Sequence, residues 1–474
     1  PNVEWKKDLE RQNEERLNNE IEIESVSNPL PSHIVSVPTS NDINVGFSVQ
    51  AVDDKDLDEI AENIAYEYSL NAKQKLAYKI LIQNVIKRER NEETDQILEY
   101  VGGAGGTGKS QIIKAVVAFH VRIEARQKVK LTAYTGTAAN NIEGSTTCAL
   151  FSTRQKSKMK LERRFQHVNT IIVDEISIIG GAHLYNIDKQ LSIAKPNVDK
   201  TKPFAGFDIV FFGDFMQLPP VCDTPLYAGY QQNQPLSSKK VTDEKRNLGL
   251  HLWSQITHVV LLTEQMRATD QAYLDFLNRF RAGECTDSDM LMLNSRVIGN
   301  FSEDLSSFVN NQIICPGNEL VMQINNMFAS HHSVNKNVFV TSAKDTYKRK
   351  PLPTQYTEKM KSYSATRTGG LPMELPMYVG MPVFVSKNIH VELGLTNGST
   401  GIIRAIHLQN ARKIKENKGF HEVRFKETDC IIVELDNTRV QPLHGLEQNH
   451  VPIFPVKCNF QLTVNGKDTI NVNR

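Results

Sequence analysis

A glycine-rich stretch is the first segment whose residue types and spacing could do chemistry. Residues 103–110 read Gly-Ala-Gly-Gly-Thr-Gly-Lys-Ser and fit the pattern G-x-x-x-x-G-K-[ST], between a predicted strand and a predicted helix. Glycines let backbone N–H groups surround phosphates without a Cβ in the way, and a helix N-terminus adds positive potential. We therefore predict a nucleotide phosphate site formed by Gly103, Gly105, Gly106, Thr107, Gly108, Lys109 and Ser110.

Four side chains have expected roles in binding and hydrolysing the nucleotide: the last two residues of this stretch and two carboxylates later in the sequence. Lys109 should reach the β and γ phosphates and act in catalysis, and the Ser110 hydroxyl should ligate Mg²⁺. Asp174 and Glu175 follow an apolar run at 171–173. An aspartate at the end of a buried strand can hold Mg²⁺ through water, and an adjacent glutamate can polarise the attacking water. A solvated strand end is the alternative, which the phosphate site upstream disfavours.

Short apolar segments alternate with helical segments around these motifs. Predicted strands at 97–101, 129–134, 171–173 and 209–212 are interspersed with predicted helices at 71–88 and 111–122. This alternation is typical of a parallel sheet covered on both faces, and ligands bind at the carboxyl ends of its strands. Because the motifs lie at those ends, the predicted fold class is α/β, of the P-loop NTPase type.

The composition excludes several classes of protein. The chain has 474 residues, with 55 Lys and Arg against 54 Asp and Glu, and a net charge of +1. It is therefore neither collagen-like nor wholly disordered, and it lacks the bulk charge of a globally basic nucleic-acid binder. No apolar stretch is as long as a membrane span and the first residues do not resemble a signal peptide, so we expect no membrane partner. The six cysteines form no CxxC pair, which fits a reducing compartment.

Changes in sequence character predict five segments. Residues 1–65 are polar and are predicted to be a mobile or partner-dependent arm. Residues 66–252 carry the phosphate motif, and a second α/β segment spans 253–345. Residues 346–375 form a basic insertion, and 376–474 contain short predicted strands that indicate a small β unit.

Several further motifs, in order, resemble those of superfamily-one DNA helicases of the Pif-type branch, which includes Rec D-like enzymes and the helicase part of Helitron transposons. Residues 213–221, Gly-Asp-Phe-Met-Gln-Leu-Pro-Pro-Val, resemble the sensor motif. Residues 70–74 resemble the adenine-binding Q motif, 134–139 the DNA-contacting motif, 262–267 the fourth motif, and 395–401 the start of the small 2B domain. The resemblance covers about residues 68–460 and implies two RecA-like lobes, the second incomplete, plus a small SH3-like β-barrel 2B domain that ends early.

The resemblance also implies roles for individual residues at an ATP site. Gln74 would bind adenine through its amide, with a helix-surface glutamine as the alternative. Gln217 would sense the γ-phosphate, and Arg267 would cross from the second lobe to stabilise transition-state charge. Asp214 would either help position the water bound to magnesium or cap its turn. The implied cofactors are ATP and Mg²⁺.

For DNA, the resemblance gives a set of contacts to a single strand. The residues carried over are Thr135, Gly136, Ala138, Phe151 and Asn318. Phe151 could stack on a base or pack in the core, and packing is the favoured alternative. Two basic stretches could bind phosphates or form solvated faces. They are Arg154, Lys156, Lys158, Lys160, Arg163 and Arg164, and Lys344, Lys348, Arg349, Lys350, Lys359, Lys361 and Arg367.

Two departures from the family pattern qualify the prediction. Cys148 stands where the family usually has a histidine, and the later His-Lys-Ser-Gln-Gly-like and second arginine motifs do not occur before Arg474. The chain is therefore expected to be a fragment or a decayed copy, and the absence of an initial Met favours a fragment.

The function predicted is an ATP-dependent DNA helicase moving 5′→3′ on single-stranded DNA and acting on forks, in DNA repair, recombination or telomere maintenance. The alternatives are a module that binds ATP and DNA without turnover, and a signalling P-loop ATPase. A monomer is expected, with a nuclear or else mitochondrial location.

Overall fold

The computed structural model describes residues 2–22, 56–151, 158–196, 201–229, 241–297, 312–332, 337–361, 368, 371–408, 413–417, 422–425, 429–464 and 468–473. The chain divides into two compact units. The P-loop unit is Glu15–Asn300, and the β-rich unit combines Pro1–Glu14 with Phe301–Arg474. Across the described residues, no helix combines the length and apolar character that crossing a membrane requires.

The described helices, in chain order, are α1 (Asn2–Glu22), α2 (Asp56–Glu67), α3 (Ala72–Glu89), α4 (Lys109–Arg122), α5 (Gly136–Asn141), α6 (Thr147–Leu150), α7 (Lys158–Phe165), α8 (Gly181–Ala194), α9 (Val241–Trp253), α10 (Gln271–Ala282), α11 (Asp287–Ser295), α12 (Asn318–His332) and α13 (Thr354–Lys361).

The described strands, in chain order, are β1 (Leu98–Gly103), β2 (Val129–Ala133), β3 (Ser145–Thr146), β4 (Thr170–Asp174), β5 (Asp208–Gly213), β6 (His258–Leu262), β7 (Val338–Ser342), β8 (Thr346–Tyr347), β9 (Lys350–Pro351), β10 (Glu374–Met377), β11 (Pro382–Phe384), β12 (Thr400–His407), β13 (Lys413–Asn417), β14 (Glu422–Phe425), β15 (Cys430–Leu435), β16 (His450–Ile453), β17 (Asn459–Val464) and β18 (Asp468–Asn473).

A six-stranded sheet forms the centre of the P-loop unit. Its strand order is β3-β2-β4-β5-β1-β6, and every neighbouring pair is parallel. Leu98, Ile171 and Phe211 pack with residues of α7, α8 and α9 in one apolar core. Alternate residues such as Ile172 and Val210 are equally buried, and they point to the opposite face. Because both faces of the sheet are covered, successive residues of each strand are buried, and the strands therefore appear in the sequence as continuous apolar runs. The predicted α/β P-loop fold is confirmed.

A buried ion pair fixes the edge of this sheet at which β5 begins. The Asp208 carboxylate is fully buried and accepts hydrogen bonds from both terminal nitrogens of Arg88, a residue of α3. It also accepts the amide of Asn84 at 3.1 Å and the backbone N–H of Ile97 at 2.7 Å. With four donors around it, this carboxylate is compensated for the loss of water. The pair therefore joins helix α3 to strands β1 and β5.

Strand β6 corrects a predicted domain boundary. The sequence placed residues 253–345 in a second RecA-like domain, but β6 pairs in parallel with β1, with Tyr100 opposite Val259. The first sheet therefore continues past residue 252. The segment 253–345 is also divided between units, because α10 and α11 lie in the P-loop unit while α12 and β7 lie in the β-rich unit. The second RecA-like lobe stays a prediction.

The β-rich unit contains three four-stranded sheets in the described residues. Their strand orders are β10-β7-β14-β13, β11-β12-β15-β16 and β17-β18-β8-β9. Of the short strands predicted within 376–474, the structure contains β11, β12, β14 and β15, but β14 pairs with β7 rather than with β15. Strand β8, from the predicted basic insertion, pairs with β18 near the end of the chain. The predicted boundaries after residues 345 and 375 therefore do not separate sheets, and the SH3-like barrel stays a prediction.

The first helix is part of the β-rich core. Trp5 and Leu9 of α1 are buried with Leu393, Ile432 and other residues of this unit. The Trp5 indole N–H donates to the carbonyl of His444 at 2.9 Å, across 439 positions of sequence. The prediction of a partner-dependent arm over residues 1–65 is therefore wrong for these residues. It is also wrong for α2, which packs against α3 and α4. Residues 23–55 lie outside the described part.

Candidate functional site

The phosphate loop joins strand β1 to helix α4 as the sequence predicted. Gly106 and Gly108 have φ values of 89° and 84°, in the left-handed region that favours glycine. A Cβ at Gly106 would lie 1.9 Å from Oε1 of Gln265, and one at Gly108 would lie 2.2 Å from Nε2 of Gln74. A Cβ at Gly105 would meet no atom within 4 Å, so the loop is open at its exposed centre. The left-handed backbone conformation therefore favours glycine at both positions, and at 106 the Cβ of Arg267 also limits the space.

Lys109 begins helix α4 and folds over this loop. Its ammonium donates to the carbonyls of Gly103 at 2.7 Å and Ala104 at 3.1 Å. Burial lowers the pKa of Lys109, while the negative charges of Asp174, Asp214 and Glu175 oppose that effect. The cation is thus held within the field of three carboxylates. Thr107 is 2% exposed and donates its hydroxyl to Ala104, whereas Ser110 is exposed at the start of the helix.

The predicted carboxylate pair lies at the carboxyl end of β4. Asp174 is 8% exposed, and burial raises its pKa to about 6, with a further contribution from Glu175. The backbone N–H of Glu175, at 2.9 Å from Asp174 Oδ1, opposes the rise. Glu175 has φ 56° and ψ 46°, an uncommon conformation for a residue with a side chain. A bound cation would stabilise the Asp174 carboxylate, which burial alone disfavours.

The sensor turn follows β5 and carries Gln217. Gln217 is exposed and lines one pocket together with Glu175 and Thr135. The turn is held by Asp214, which is 3% exposed and accepts the backbone N–H of Met216 at 3.1 Å. Of the two roles predicted for Asp214, the structure shows the cap of the turn. The ends of β1, β4 and β5 thus bring Lys109, the carboxylate pair and Gln217 together.

The segment 262–267 lies against the phosphate loop. The side chain of Gln265 donates to the carbonyl of Gly105 at 2.8 Å, and the N–H of Met266 donates to the carbonyl of Gly106 at 2.8 Å. Arg267 is exposed and lies beside the loop. A Cβ added at Gly106 would be 2.9 Å from the Cβ of Arg267. The prediction that Arg267 crosses from a second lobe is wrong, because the segment follows β6 of the first sheet. Its catalytic role stays a prediction.

Gln74 is bound to the chain itself. It is 2% exposed, donates Nε2–H to the carbonyl of Thr107 at 3.0 Å, and accepts the N–H of Asn71 at 2.9 Å. Together with Asn71 it forms the capping box of α3. The alternative of a helix-surface glutamine is therefore wrong. Adenine recognition, which stays a prediction, would use the remaining N–H and lone pair of this amide.

The residues predicted to contact DNA fall into three groups. Thr135, Gly136 and Ala138 lie together at the start of α5, where the Thr135 hydroxyl accepts the N–H of Ala138 at 3.2 Å. Phe151 is 6% exposed and stacks on Phe165 at 5.9 Å between ring centroids in the core, which is the packing alternative that the sequence favoured.

Asn318 lies elsewhere, at the start of α12 in the β-rich unit, and its side chain is outside the described residues. The contacts of the α5 group with DNA and that of Asn318 stay predictions.

The basic stretches are only partly described. Arg154, Lys156 and Arg367 are outside the described residues, as are the side chains of Lys160, Lys359 and Lys361. Arg164 donates to the carbonyls of Ala149 and Leu150, so it caps helix α6. Cys148, on the same helix, is exposed.

Sequence reasoning missed an arginine at the site. Arg281 of α10 pairs with Asp214 through both terminal nitrogens, across 67 positions of sequence. Nothing in its local sequence marks it, because Arg279 stands two positions earlier on the same helix and pairs with Asp289 instead.

A parallel sheet with a phosphate loop after β1, a carboxylate pair after β4 and a polar sensor turn after β5 defines a P-loop NTPase with a RecA-like core. Residues 69–290 match the family model for PIF1-like helicases. This match and the relatives below support a Pif1-type superfamily-one helicase, which is the family that the motifs predicted.

Named relatives agree with this assignment. The ATP-dependent DNA helicase PIF1 of Saccharomyces cerevisiae strain YJM789 is 30% identical over 200 residues, covering 39% of this chain and 21% of the relative. The PIF1 helicase of Xenopus laevis is 26% identical over 319 residues, covering 64% of this chain and 43% of the relative. This chain thus spans less than half the length of either relative. The crystal structure of Pif1 helicase from Candida albicans has a TM-score of 0.52 at 18% identity, covering 85% of this chain and 82% of that one, which shows a shared fold.

Proposed function

We propose that this chain carries the motor of an ATP-dependent DNA helicase, which couples hydrolysis of magnesium-bound ATP to 5′→3′ movement on single-stranded DNA and to unwinding of duplexes. The single observation that carries the proposal is the convergence of Lys109 with Asp174 and Glu175 at the carboxyl ends of β1 and β4, the two strands that flank β5. The match to the family model supports the helicase activity that is named for the relatives.

The residues around the phosphate loop suit ATP and Mg²⁺. The open centre of the loop at Gly105 leaves room for phosphate, and Lys109 supplies the cation. Ser110 and Asp174 would hold Mg²⁺, with phosphate oxygens and water completing its ligands. Mg²⁺ neutralises developing charge on the phosphates when bound. A buried carboxylate whose pKa is raised to about 6 by desolvation is a suitable partner for that cation.

Hydrolysis then depends on three side chains of the P-loop unit. Glu175, which lines an open pocket with Gln217, accepts the proton of the attacking water as its general base. Gln217 contacts the terminal phosphate from the same pocket. Arg267, beside the loop, stabilises negative charge that develops on the phosphates.

Coupling to DNA is supported by the position of Thr135. This residue caps α5, the helix proposed to meet the DNA backbone, and it also lines the pocket that contains Glu175 and Gln217. A movement of the sensor turn would therefore be transmitted through Thr135 to α5, the helix proposed to contact DNA. The proposed partners are single-stranded DNA and forks, in DNA repair, recombination or telomere maintenance, at a nuclear or mitochondrial site.

The test is the ATPase rate of this chain with and without single-stranded DNA. We expect stimulation by DNA, and we expect Lys109→Ala to abolish turnover at an unchanged thermal midpoint. Arg267→Ala should keep ATP binding while turnover falls. A wild-type rate equal to that of Lys109→Ala, with nucleotide still bound, would instead support the module without turnover.

A further inference from the structure

The ion pair between Arg281 and Asp214 connects helix α10 to the sensor turn. Asp214 is 3% exposed, whereas the Arg281 side chain is 32% exposed, and both terminal nitrogens of the guanidinium contact the carboxylate. Such a two-point contact fixes direction as well as distance, because the guanidinium fork matches the two carboxylate oxygens. Asp214 therefore cannot rotate freely at the end of β5.

The same carboxylate organises the sensor residue. Asp214 Oδ1 accepts the N–H of Met216 at 3.1 Å, and its backbone carbonyl accepts the N–H of Gln217 at 2.9 Å. The side-chain amide of Gln217 lies 3.5 Å from Asp214 Oδ2. Since both oxygens of Asp214 are also held by Arg281, the position of the Gln217 amide depends on a residue of α10.

The charges around the pair connect it with the phosphate site. Burial disfavours the ionised form of Asp214, but Arg281, the Met216 amide and Lys109 outweigh burial and lower the pKa of Asp214. Lys109 in turn experiences the charges of both Asp214 and Arg281. The pair thus stays ionised within electrostatic range of the residue that begins α4.

We propose that Arg281 is a positioning residue for ATP hydrolysis, which holds the sensor turn of Gln217 through Asp214 and links that turn to the helix that follows Arg267. The inference rests on the proposed ATPase function. Arg281 acts through Asp214, so its loss should affect the rate of the chemical step rather than the binding of nucleotide.

The chain offers a matched control on the same helix. Arg279 also forms a two-point ion pair, with Asp289 at 2.9 and 2.6 Å, and its side chain is 37% exposed. Asp289 belongs to the capping box of α11 rather than to the sensor turn. Arg279→Ala therefore removes the same kind of interaction, two residues away, without touching Asp214.

The first experiment measures ATP turnover of the full chain. We expect Arg281→Ala to lower kcat on the order of 10- to 100-fold with KM for ATP within about twofold, a size typical of lost positioning. Arg281→Lys, which keeps the charge but loses the fork, should recover part of the rate. Asp214→Asn should match Arg281→Ala, and the double variant should fall no further, because the two act as one unit.

A second readout needs no turnover. The chain has two tryptophans, and Trp253 contacts Phe215 of the sensor turn at 5.4 Å between ring centroids. In a Trp5→Phe background, Trp253 emission therefore reports on this turn. Arg281→Ala should change its emission maximum and acrylamide quenching, and Arg279→Ala should change neither.

These outcomes separate the two proposals. A wild-type chain without turnover would overturn the proposed function, and Trp253 would still decide the role of Arg281. The inference is overturned if Arg281→Ala leaves both kcat and Trp253 unchanged. It is also overturned if only KM rises, which would mean direct contact with nucleotide, or if Arg279→Ala has equal effects.

Discussion

A carboxyl group buried on strand β1 of the first sheet should make the stability of the P-loop unit fall as the pH rises. Glu99 of β1 is 0% exposed, and neither of its carboxyl oxygens has a hydrogen-bond partner among the described residues. Burial raises the pKa of Glu99 from 4.5 to about 8. The perturbation we choose is Glu99→Gln, which keeps the shape of the side chain and removes its titration.

The direction follows from proton binding in the two states. Between pH 4.5 and about 8 the folded chain keeps the Glu99 proton while the unfolded chain has lost it. Each pH unit in this window therefore removes roughly 1.4 kcal/mol from the free energy of unfolding, and this loss ends above the folded pKa. At pH 7 the loss is about 3 kcal/mol, as an upper estimate. Near pH 4.5 the neutral acid and the amide should be equivalent.

The assay compares thermal midpoints of wild type and Glu99→Gln at several values between pH 5 and 8. All other titrating groups are shared, so they cancel in the difference. We expect the two to be close at pH 5 and the variant to be higher at pH 7, by roughly 5 °C for a unit of this size. Glu92→Gln, at an exposed position, is the control and should give a flat difference.

A difference that stays constant across this range would refute the reasoning. It would mean that Glu99 has the same proton affinity in the folded and unfolded chains, and therefore that its carboxyl is solvated or paired in the folded chain.

Two further changes test the packing of each unit. Asp208→Ala should lower the free energy of unfolding of the P-loop unit by about 3–5 kcal/mol in a denaturant titration, because Arg88 is left as an uncompensated charge. Asp58→Ala, which removes an exposed ion pair with Arg90, should lower it by less than about 1 kcal/mol. Equal losses in the two variants would contradict this account. Trp5→Ala should destabilise the β-rich unit by about 3–5 kcal/mol, seen as faster hydrogen exchange of its strands, while Val3→Ala on an exposed position of the same helix should have little effect. Unchanged exchange in Trp5→Ala would show that the helix adds no stability.

The elements that hold the phosphate site could be predicted because each is encoded locally. The strands around 97–101 and 209–212 are short apolar runs, and the turns that follow them carry glycine and polar residues at fixed spacing. The carboxyl ends of parallel strands meet at one edge of the sheet, so a common edge for Lys109 and Asp174 could be expected without knowing the strand order. The structure bears out each of these steps.

What could not be predicted depends on contacts between distant parts of the chain. Arg279 and Arg281 stand two positions apart on one helix, and no local pattern distinguishes them. Only the tertiary structure shows that Arg281 pairs with Asp214 while Arg279 pairs with Asp289. Strand β6 has the same local pattern whether it extends the first sheet or begins a second. For Phe151 the sequence favoured packing, but it could not identify Phe165 as the ring against which it stacks.

The packing of helix α1 against the β-rich core could not be predicted for a different reason. Its apolar face is narrow, with Trp5 and Leu9 in contact with the core and charged residues on either side of them. Gln12 continues this face by hydrogen bonding to the backbone of Gln441, so a polar residue occupies a position where periodicity would require an apolar one. A pattern search for hydrophobic residues alone therefore could not detect it.

The docking of α1 onto the β-rich unit has a consequence for the order in which the protein is made. The partners of Trp5 and Gln12, His444 and Gln441, leave the ribosome more than 400 residues later, by the sequence separations of 439 and 429. During synthesis the P-loop unit can therefore complete its sheet while Trp5 still lacks its binding place. The β-rich unit can close only after a very long loop has formed, which predicts that it is the slower of the two to fold. In the nascent chain, the early indole is an exposed apolar group that a chaperone could bind before the last strands arrive.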